Sequence, residues 1–222
     1  VFRATEEDYL KSAAPIVARI RDWVPVDKNA ACLDVGCGAG HVLYALKTLG
    51  FENLTGVDLS EEQVTAARRF IDNIVLSDAL EYLEAHPSRF DLITAIDVIE
   101  HFTKDELFPI CDALLGALRP GGILILQTPN AESPWGLQVR YGDLTHENAF
   151  SPSSLEWTLS RVGFGSFQFR ECGPYSKSFR SLLRRAAWRT ISASLMLWNL
   201  AECGHKGSGI YTRVFLARAE KV

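Results

Sequence analysis

The sequence predicts an α/β fold: a mostly parallel, seven-stranded sheet with helices on both faces and an antiparallel last strand. Two observations carry that prediction. Short apolar runs of strand length alternate with helical patterns along most of the chain, the signature of repeated β-α units. The first run also leads into "GCGAG", with Gly36, Gly38 and Gly40 at every second position, where a strand enters a helix close to a ligand.

Residues 1–29 form a polar, helix-like segment. "ACLDVG", "LTGVDLS", "NIVLSDA", "FDLITAIDV" and "GGILILQTP" then read as buried strands, and "HVLYALKTLG", "SEEQVTAARRFI" and "TKDELFPICDALLGAL" as helices between them. Ser60 followed by Gln63 suggests a capping box, and "RPGG" stops a helix before the fifth strand. "PSSLEWTLSRVGF" predicts a helix ending near Gly163, and "FGSFQFREC" and "GIYTRVFLARAE" a closing antiparallel pair. Between them, residues 174–208 form an insertion of one or two helices, basic first and apolar later, so 1–222 is read as one domain.

The chain has 222 residues, 47% hydrophobic and 23% charged, which excludes disordered and collagenous classes. Five cysteines (Cys32, Cys37, Cys111, Cys172, Cys203) lack the spacing of a disulfide framework or a thiolate zinc site, so a cytoplasmic setting is expected. No basic and then apolar leader opens the sequence, so no export signal is expected. Charge is uneven: Arg170, Lys177, Arg180, Arg184, Arg185 and Arg189 stand against Glu171 alone, a +5 segment on a chain of net charge −4.

A dinucleotide turn needs its third glycine at position 41, where this chain has His41; the spacing is G-x-G-x-G. Asp58, 22 residues after Gly36 at the end of the second strand, can accept from a ribose diol. Here the chain resembles the class I S-adenosylmethionine-dependent methyltransferases, a Rossmann-like group, over about residues 30–171. "LDVGCGAG", "VDLS", "SDALEYL", "FDLITAIDVIEH" and "LRPGGILILQTPN" match their motifs in order. The resemblance implies S-adenosyl-L-methionine as cofactor. Asp34 and Asp97 would stand at its methionyl part, Gly36, Gly38 and Gly40 beneath it, Asp58 and Leu59 at the ribose and adenine, and Asp78 and Ala79 at the adenine ring. Asp78 could instead cap its helix, and Asp34 could be structural.

The methyl acceptor must lie beyond the C-terminal ends of the strands. Two clusters are expected there: "DVIEH", with Asp97, Glu100 and His101, and "YGDLTHENAFSP", with Tyr141, Asp143, His146 and Glu147, in a connection long for an idle loop. The chain lacks the (N/D)PP(Y/F) box of many N-methyltransferases, which favours an oxygen acceptor. "EH", "TPN" and "THENAFSP" resemble bacterial glycan-associated methyltransferases and their quinone-precursor O-methylating relatives. They also resemble the small-RNA 3′-terminal 2′-O-methyltransferases, whose E-x-x-E-H and later His hold a metal. Catalysis is expected of His146, Glu100 and His101, with Tyr141 and Asp143 at the substrate. Asp97 stands where the metal-binding group has its first Glu, so a divalent metal is not the reading chosen.

The insertion interleaves Lys177, Arg180, Arg184 and Arg185 with Phe179, Leu182, Leu183 and Trp188, which suits an anionic, partly apolar surface. Peripheral contact with the inner face of a membrane through residues 177–200 is therefore expected, though its apolar part is too short to span a bilayer; nucleic acid is not expected, given the acidic body. The expected function is methylation of a hydroxyl on a sugar of a glycan or lipid-linked precursor. Quinone-precursor methylation, metal-dependent RNA methylation and a non-catalytic cofactor-binding subunit are the alternatives. Oligomeric state is not readable.

Overall fold

The computed structural model describes residues 5–175 and 178–222; Lys177 lies outside the described residues. In chain order the elements are α1 (Glu6–Ile20), β1 (Cys32–Val35), α2 (His41–Thr48), β2 (Leu54–Asp58), α3 (Glu61–Ala67), β3 (Ile74–Leu76), α4 (Ala79–Glu84) and β4 (Phe90–Ile96). A 3₁₀ turn (Ile99–His101) follows, then α5 (Lys104–Ala117), β5 (Leu118–Pro129), α6 (Gly136–Gly142), α7 (Pro152–Val162), β6 (Phe164–Glu171), α8 (Phe179–Cys203) and β7 (Val214–Lys221).

The sheet order is β3-β2-β1-β4-β5-β7-β6. Pairing is parallel from β3 across to β5, and β7 runs antiparallel to both β5 and β6. Strand order reverses between β1 and β4, so a crevice opens at their C-terminal ends, where ligands bind in such sheets. β1 and the middle of β5 are buried on both faces, apolar apart from the enclosed Asp34 of β1.

Two apolar layers hold the helices to the sheet. One joins Leu33, Ile93 and Leu124 to Leu107, Leu114 and Leu155 of α5 and α7. The other joins Leu92, Ile125 and Leu216 to Ile20, Leu43, Val64 and Trp23 on the opposite side. Burying one such leucine or isoleucine contributes about 1.5 to 3 kcal/mol.

Boundaries follow local chemistry. α5 ends at Ala117 and β5 begins at Leu118, three residues before the glycine pair with which the expected strand opens. Arg119 precedes Pro120 and is kept extended by it. Only Ser60's half of the expected capping box forms, its hydroxyl accepting from the Gln63 amide. α7 stops at Gly163, whose φ of +113° favours glycine. The last strand starts at Val214, later than its apolar run, because Ile210 and Tyr211 are buried in the preceding turn.

The insertion is one 25-residue helix, α8, with no fully buried residue. Among its half-covered positions, Trp188, Ser192, Leu195 and Asn199 follow a helical spacing that faces the body. The opposite stripe, Phe179, Leu183, Ala186, Thr190, Ala193 and Leu197, is exposed and carries no charge. Among the described residues no helix is long and apolar enough to cross a membrane.

Candidate active site

The glycine turn sits where β1 enters α2. Gly36, Gly38 and Gly40 all have positive φ, at +63°, +49° and +84°. A Cβ on Gly36 would lie 2.6 Å from Val98 Cγ2, so that glycine lets β1 approach the end of β4. A Cβ on Gly38 would meet nothing nearer than Gln63 Oε1 at 3.9 Å, so the turn presents bare backbone on that side.

Asp58 closes the turn from β2: Oδ2 accepts from the Gly38 amide at 2.8 Å and Oδ1 from the Ser60 amide at 2.9 Å. An ionised carboxylate offers about four lone-pair directions, so acceptor capacity for a diol remains. Leu59 beside it is 74% exposed, an open apolar platform. Asp78 caps α4, its Oδ1 accepting from the Leu80 and Glu81 amides at 2.8 and 3.1 Å, so the capping role expected as an alternative is realised. Ala79 is the first residue of that helix.

Asp34 is enclosed. It is 1% exposed, and Thr94 Oγ1 donates to it at 2.6 Å. Burial pushes its carboxyl up to about 7, against the Thr94 bond and with help from Asp58. Asp97 is exposed at a φ of +55°, and the Gln127 amide donates to both its oxygens at 3.1 and 3.0 Å.

The N-terminal helix completes this side. Tyr9 donates to the Ala39 carbonyl at 2.6 Å, locking α1 to the glycine turn. Ser12 donates to the Tyr9 carbonyl and so accepts from His41 Nδ1 at 2.9 Å, while the Tyr9 and His41 rings lie 4.4 Å apart. His41 therefore packs on α1 where a dinucleotide turn would need a glycine.

The second cluster forms where residues 141–150 fold over the turn after β4. Backbone amides of Glu147 and Asn148 donate to the Glu100 carbonyl at 2.8 and 3.0 Å, and Asn148 Nδ2 to the Phe102 carbonyl at 2.6 Å. Asn130 anchors the other end, donating to the Ile210 and Thr212 carbonyls at 2.8 and 2.9 Å.

These bonds bring Glu100, His101 and His146 together, with one ligand atom of each within 4.8 Å of the others. His146 Nδ1 faces the Val139 carbonyl at 3.1 Å, and His101 Nδ1 the Thr145 carbonyl at 3.2 Å. A carbonyl only accepts, so both Nδ1 atoms carry the proton and both Nε2 lone pairs are free to accept one or bind a cation. Glu100 is fully buried; Thr128 donates to Oε2 at 3.2 Å, and Oε1 has no partner among the described residues. Burial pushes this carboxyl up to about 8.

Asp143, expected at the substrate, also braces His101: its Oδ1 accepts from Thr145 Oγ1 at 2.7 Å, and that oxygen accepts from His101 Nδ1 at 3.0 Å. The Thr145 bond holds the Asp143 carboxyl below the usual range. Tyr141 is 67% exposed beside Arg140. Asp97, held by Gln127, is outside the cluster, so three of the four residues compared with a metal-binding set converge. Thr94, Thr128 and Gln127, polar positions within buried strands, and Tyr9 and Ser12 on α1 are partners of the candidate residues that the sequence did not reveal. An isolated polar residue inside an apolar run was the only signal for the first three.

The bare glycine turn, the acid closing it from β2 and the polar cluster past β4 stand where the resemblance to class I methyltransferases implies cofactor and acceptor. The methyltransferase domain family matches residues 6–166, and the chain belongs to that family. Over 154 residues it is 30% identical to a ubiquinone biosynthesis O-methyltransferase of Hydrogenovibrio crunogenus, across 61% of this chain and 62% of that one. It is also 30% identical over 158 residues to a small RNA 2′-O-methyltransferase of Mus musculus, across 63% of this chain and 40% of that one. The chain thus spans less than two thirds of either relative's length. The structure of a SAM dependent methyltransferase from Archaeoglobus fulgidus matches with a TM-score of 0.70 over 97% of both chains, at 24% identity.

Proposed function

We propose that this chain transfers the methyl group of S-adenosylmethionine to a hydroxyl, on a sugar of a glycan or lipid-linked precursor. The observation that carries an oxygen acceptor is the His146 imidazole, whose Nδ1–H is fixed on the Val139 carbonyl so that Nε2 is the free base. When bound, the cofactor supplies an electrophilic methyl group on a sulfonium. Asp58 and the Gly38 backbone bind its ribose side, with Asp78 and Leu59 toward the adenine. His146 Nε2 takes the hydroxyl proton as the acceptor oxygen bonds the methyl carbon, whose bond to sulfur would break to leave S-adenosylhomocysteine, and His101, braced through Thr145 and Asp143, stands beside it.

The ubiquinone-type relative makes a quinone-precursor phenol the alternative acceptor. The converging Glu100, His101 and His146 support a second role for the same cluster: holding a divalent cation that would lower the acceptor hydroxyl's pKa. Product mass spectrometry after incubation with glycan precursors, quinone precursors and short RNAs tests the acceptor. Methylation of a sugar hydroxyl is the expected result, and methylation confined to a quinone precursor or RNA overturns it.

We further propose that α8 rests on an anionic membrane surface. Its outward stripe is apolar or small, with Phe179 at 74% and Leu197 at 66% exposure, and Arg180 and Arg189 flank it at helical spacing.

A further inference from the structure

Between α8, the end of α1 and the sheet edge where β6 ends and β7 begins lie two adjoining cavities of about 490 and 520 Å³. Both are lined by Arg19, Gly173, Pro174, Tyr175 and Trp188, so they form one cleft. Five arginines face it: Arg19, Arg184, Arg185, Arg189 and Arg213.

Among the described residues the lining holds a single carboxylate, and that group is already engaged. Glu171 accepts from the Tyr211 amide at 2.9 Å and from Trp188 Nε1 at 3.1 Å. Arg19 donates to the Cys172 and Gly173 carbonyls, and Arg213 to Gln138 Oε1 at 2.8 Å, all neutral acceptors. Among the described residues Arg184, Arg185 and Arg189 have no ion-pair partner. Like charges gathered at a concave surface repel one another and focus a positive field into it, and a bound anion removes the repulsion. Guanidinium forks match the oxygens of a phosphate in particular.

We propose that this cleft binds a phosphate or pyrophosphate group carried by the acceptor. The assignment rests on the methyl-transfer reading of the neighbouring site, which the cleft adjoins. Its floor includes Cys172, whose thiol donates to Gln127 Oε1 at 3.3 Å, and the Gln127 amide in turn holds Asp97 at the end of β4. Arg19 is shared with a small cavity of about 30 Å³ at Thr94 and Gln127. An acceptor gripped by its phosphate in the cleft can extend over Cys172 and Gln127 toward the crevice at the strand ends. A cleft of this size suits a phosphate group with one or two sugars. A nucleic acid strand would need a longer basic track, and the rest of the chain carries a net charge of −9.

The test is calorimetric titration of the full chain with inorganic pyrophosphate, and separately with S-adenosylhomocysteine, for the wild type and for Arg185→Gln/Arg189→Gln. Saturable pyrophosphate binding that the double variant weakens about tenfold or more, with unchanged S-adenosylhomocysteine affinity, is expected. No saturable binding, or equal binding by the variant, overturns the proposal. Pyrophosphate binding by a chain that ignores S-adenosylhomocysteine would keep the cleft and reject the methyltransferase reading. Phosphatidylglycerol vesicles that displace pyrophosphate assign the phosphate to a membrane-borne molecule, and vesicles that do not displace it assign a soluble one. A short single-stranded RNA that displaces pyrophosphate at far lower concentration overturns the proposal in favour of nucleic acid.

Discussion

The Gly38 amide donates to the Asp58 carboxylate at 2.8 Å, so the residue expected to hold the ribose also shapes the turn beneath it. Asp58→Ala removes both functions. It is expected to weaken S-adenosylmethionine binding by about 1.5 to 3 kcal/mol, the range for hydrogen bonds to a charged group. Titration calorimetry reads this directly, and an unchanged affinity would remove Asp58 from the cofactor site.

His41 sits against Tyr9 and Ser12 of α1, which blocks the third-glycine position of a dinucleotide turn. S-adenosylhomocysteine should raise the melting temperature, and NAD at equal concentration should leave it in place. Comparable stabilisation by NAD would reverse the cofactor assignment.

Asp34 gives a pH prediction whose sign follows from its burial. Its carboxyl titrates near 7 in the folded chain and near 3.8 when exposed, so between those values the folded state holds a proton that the unfolded state has released. Stability from this group is therefore full below about pH 4 and is lost as pH rises toward 7. Asp34→Asn, which stays neutral, should flatten that decline in urea midpoints of the cofactor-free chain. An identical slope in the variant would mean that Asp34 does not carry the proton.

Periodicity and spacing made the strand order's ingredients legible: each of the five apolar runs became a strand, though β3 is buried only at Ile74, and Asp58 reaches the glycine turn at Gly38. What stayed hidden depends on long-range pairing. Nothing local to "YGDLTHENAF" says that its amides clamp onto the Glu100 carbonyl, or that Asp143 reaches His101 through Thr145. Gln127 holding Asp97, and Thr94 holding Asp34, likewise join residues about 30 and 60 positions apart that only sheet register brings together. The arginines of the insertion were visible as charge, but the cleft they line exists only once α8 lies against Cys172 and Gly173.

The outward stripe of α8 makes a separable prediction. Leu183→Ser/Leu197→Ser removes two exposed leucines, so melting temperature should change little. If the helix inserts its stripe into a bilayer surface, binding to phosphatidylglycerol vesicles should fall at least tenfold, since each buried leucine contributes about 1.5 to 3 kcal/mol. Undiminished sedimentation with vesicles would place the membrane contact elsewhere. Absence of vesicle binding in the wild type, with a dimer by light scattering, would make the stripe a contact between two copies.

The last prediction separates the two roles open to His146. As a general base it accepts the hydroxyl proton at Nε2, so His146→Ala should lower turnover by roughly 10² to 10⁴ while S-adenosylhomocysteine binding persists. Chelator should then have no effect, and Glu100→Gln, which keeps shape and the Thr128 contact, should be mild. As a cation ligand, His146 shares the ion with His101 and Glu100, whose Oε1 has no partner among the described residues. Chelator should then abolish activity, manganese or magnesium should restore it, and His101→Ala, His146→Ala and Glu100→Gln should be comparably severe. Full activity in His146→Ala would reject both roles, because each requires that one nitrogen.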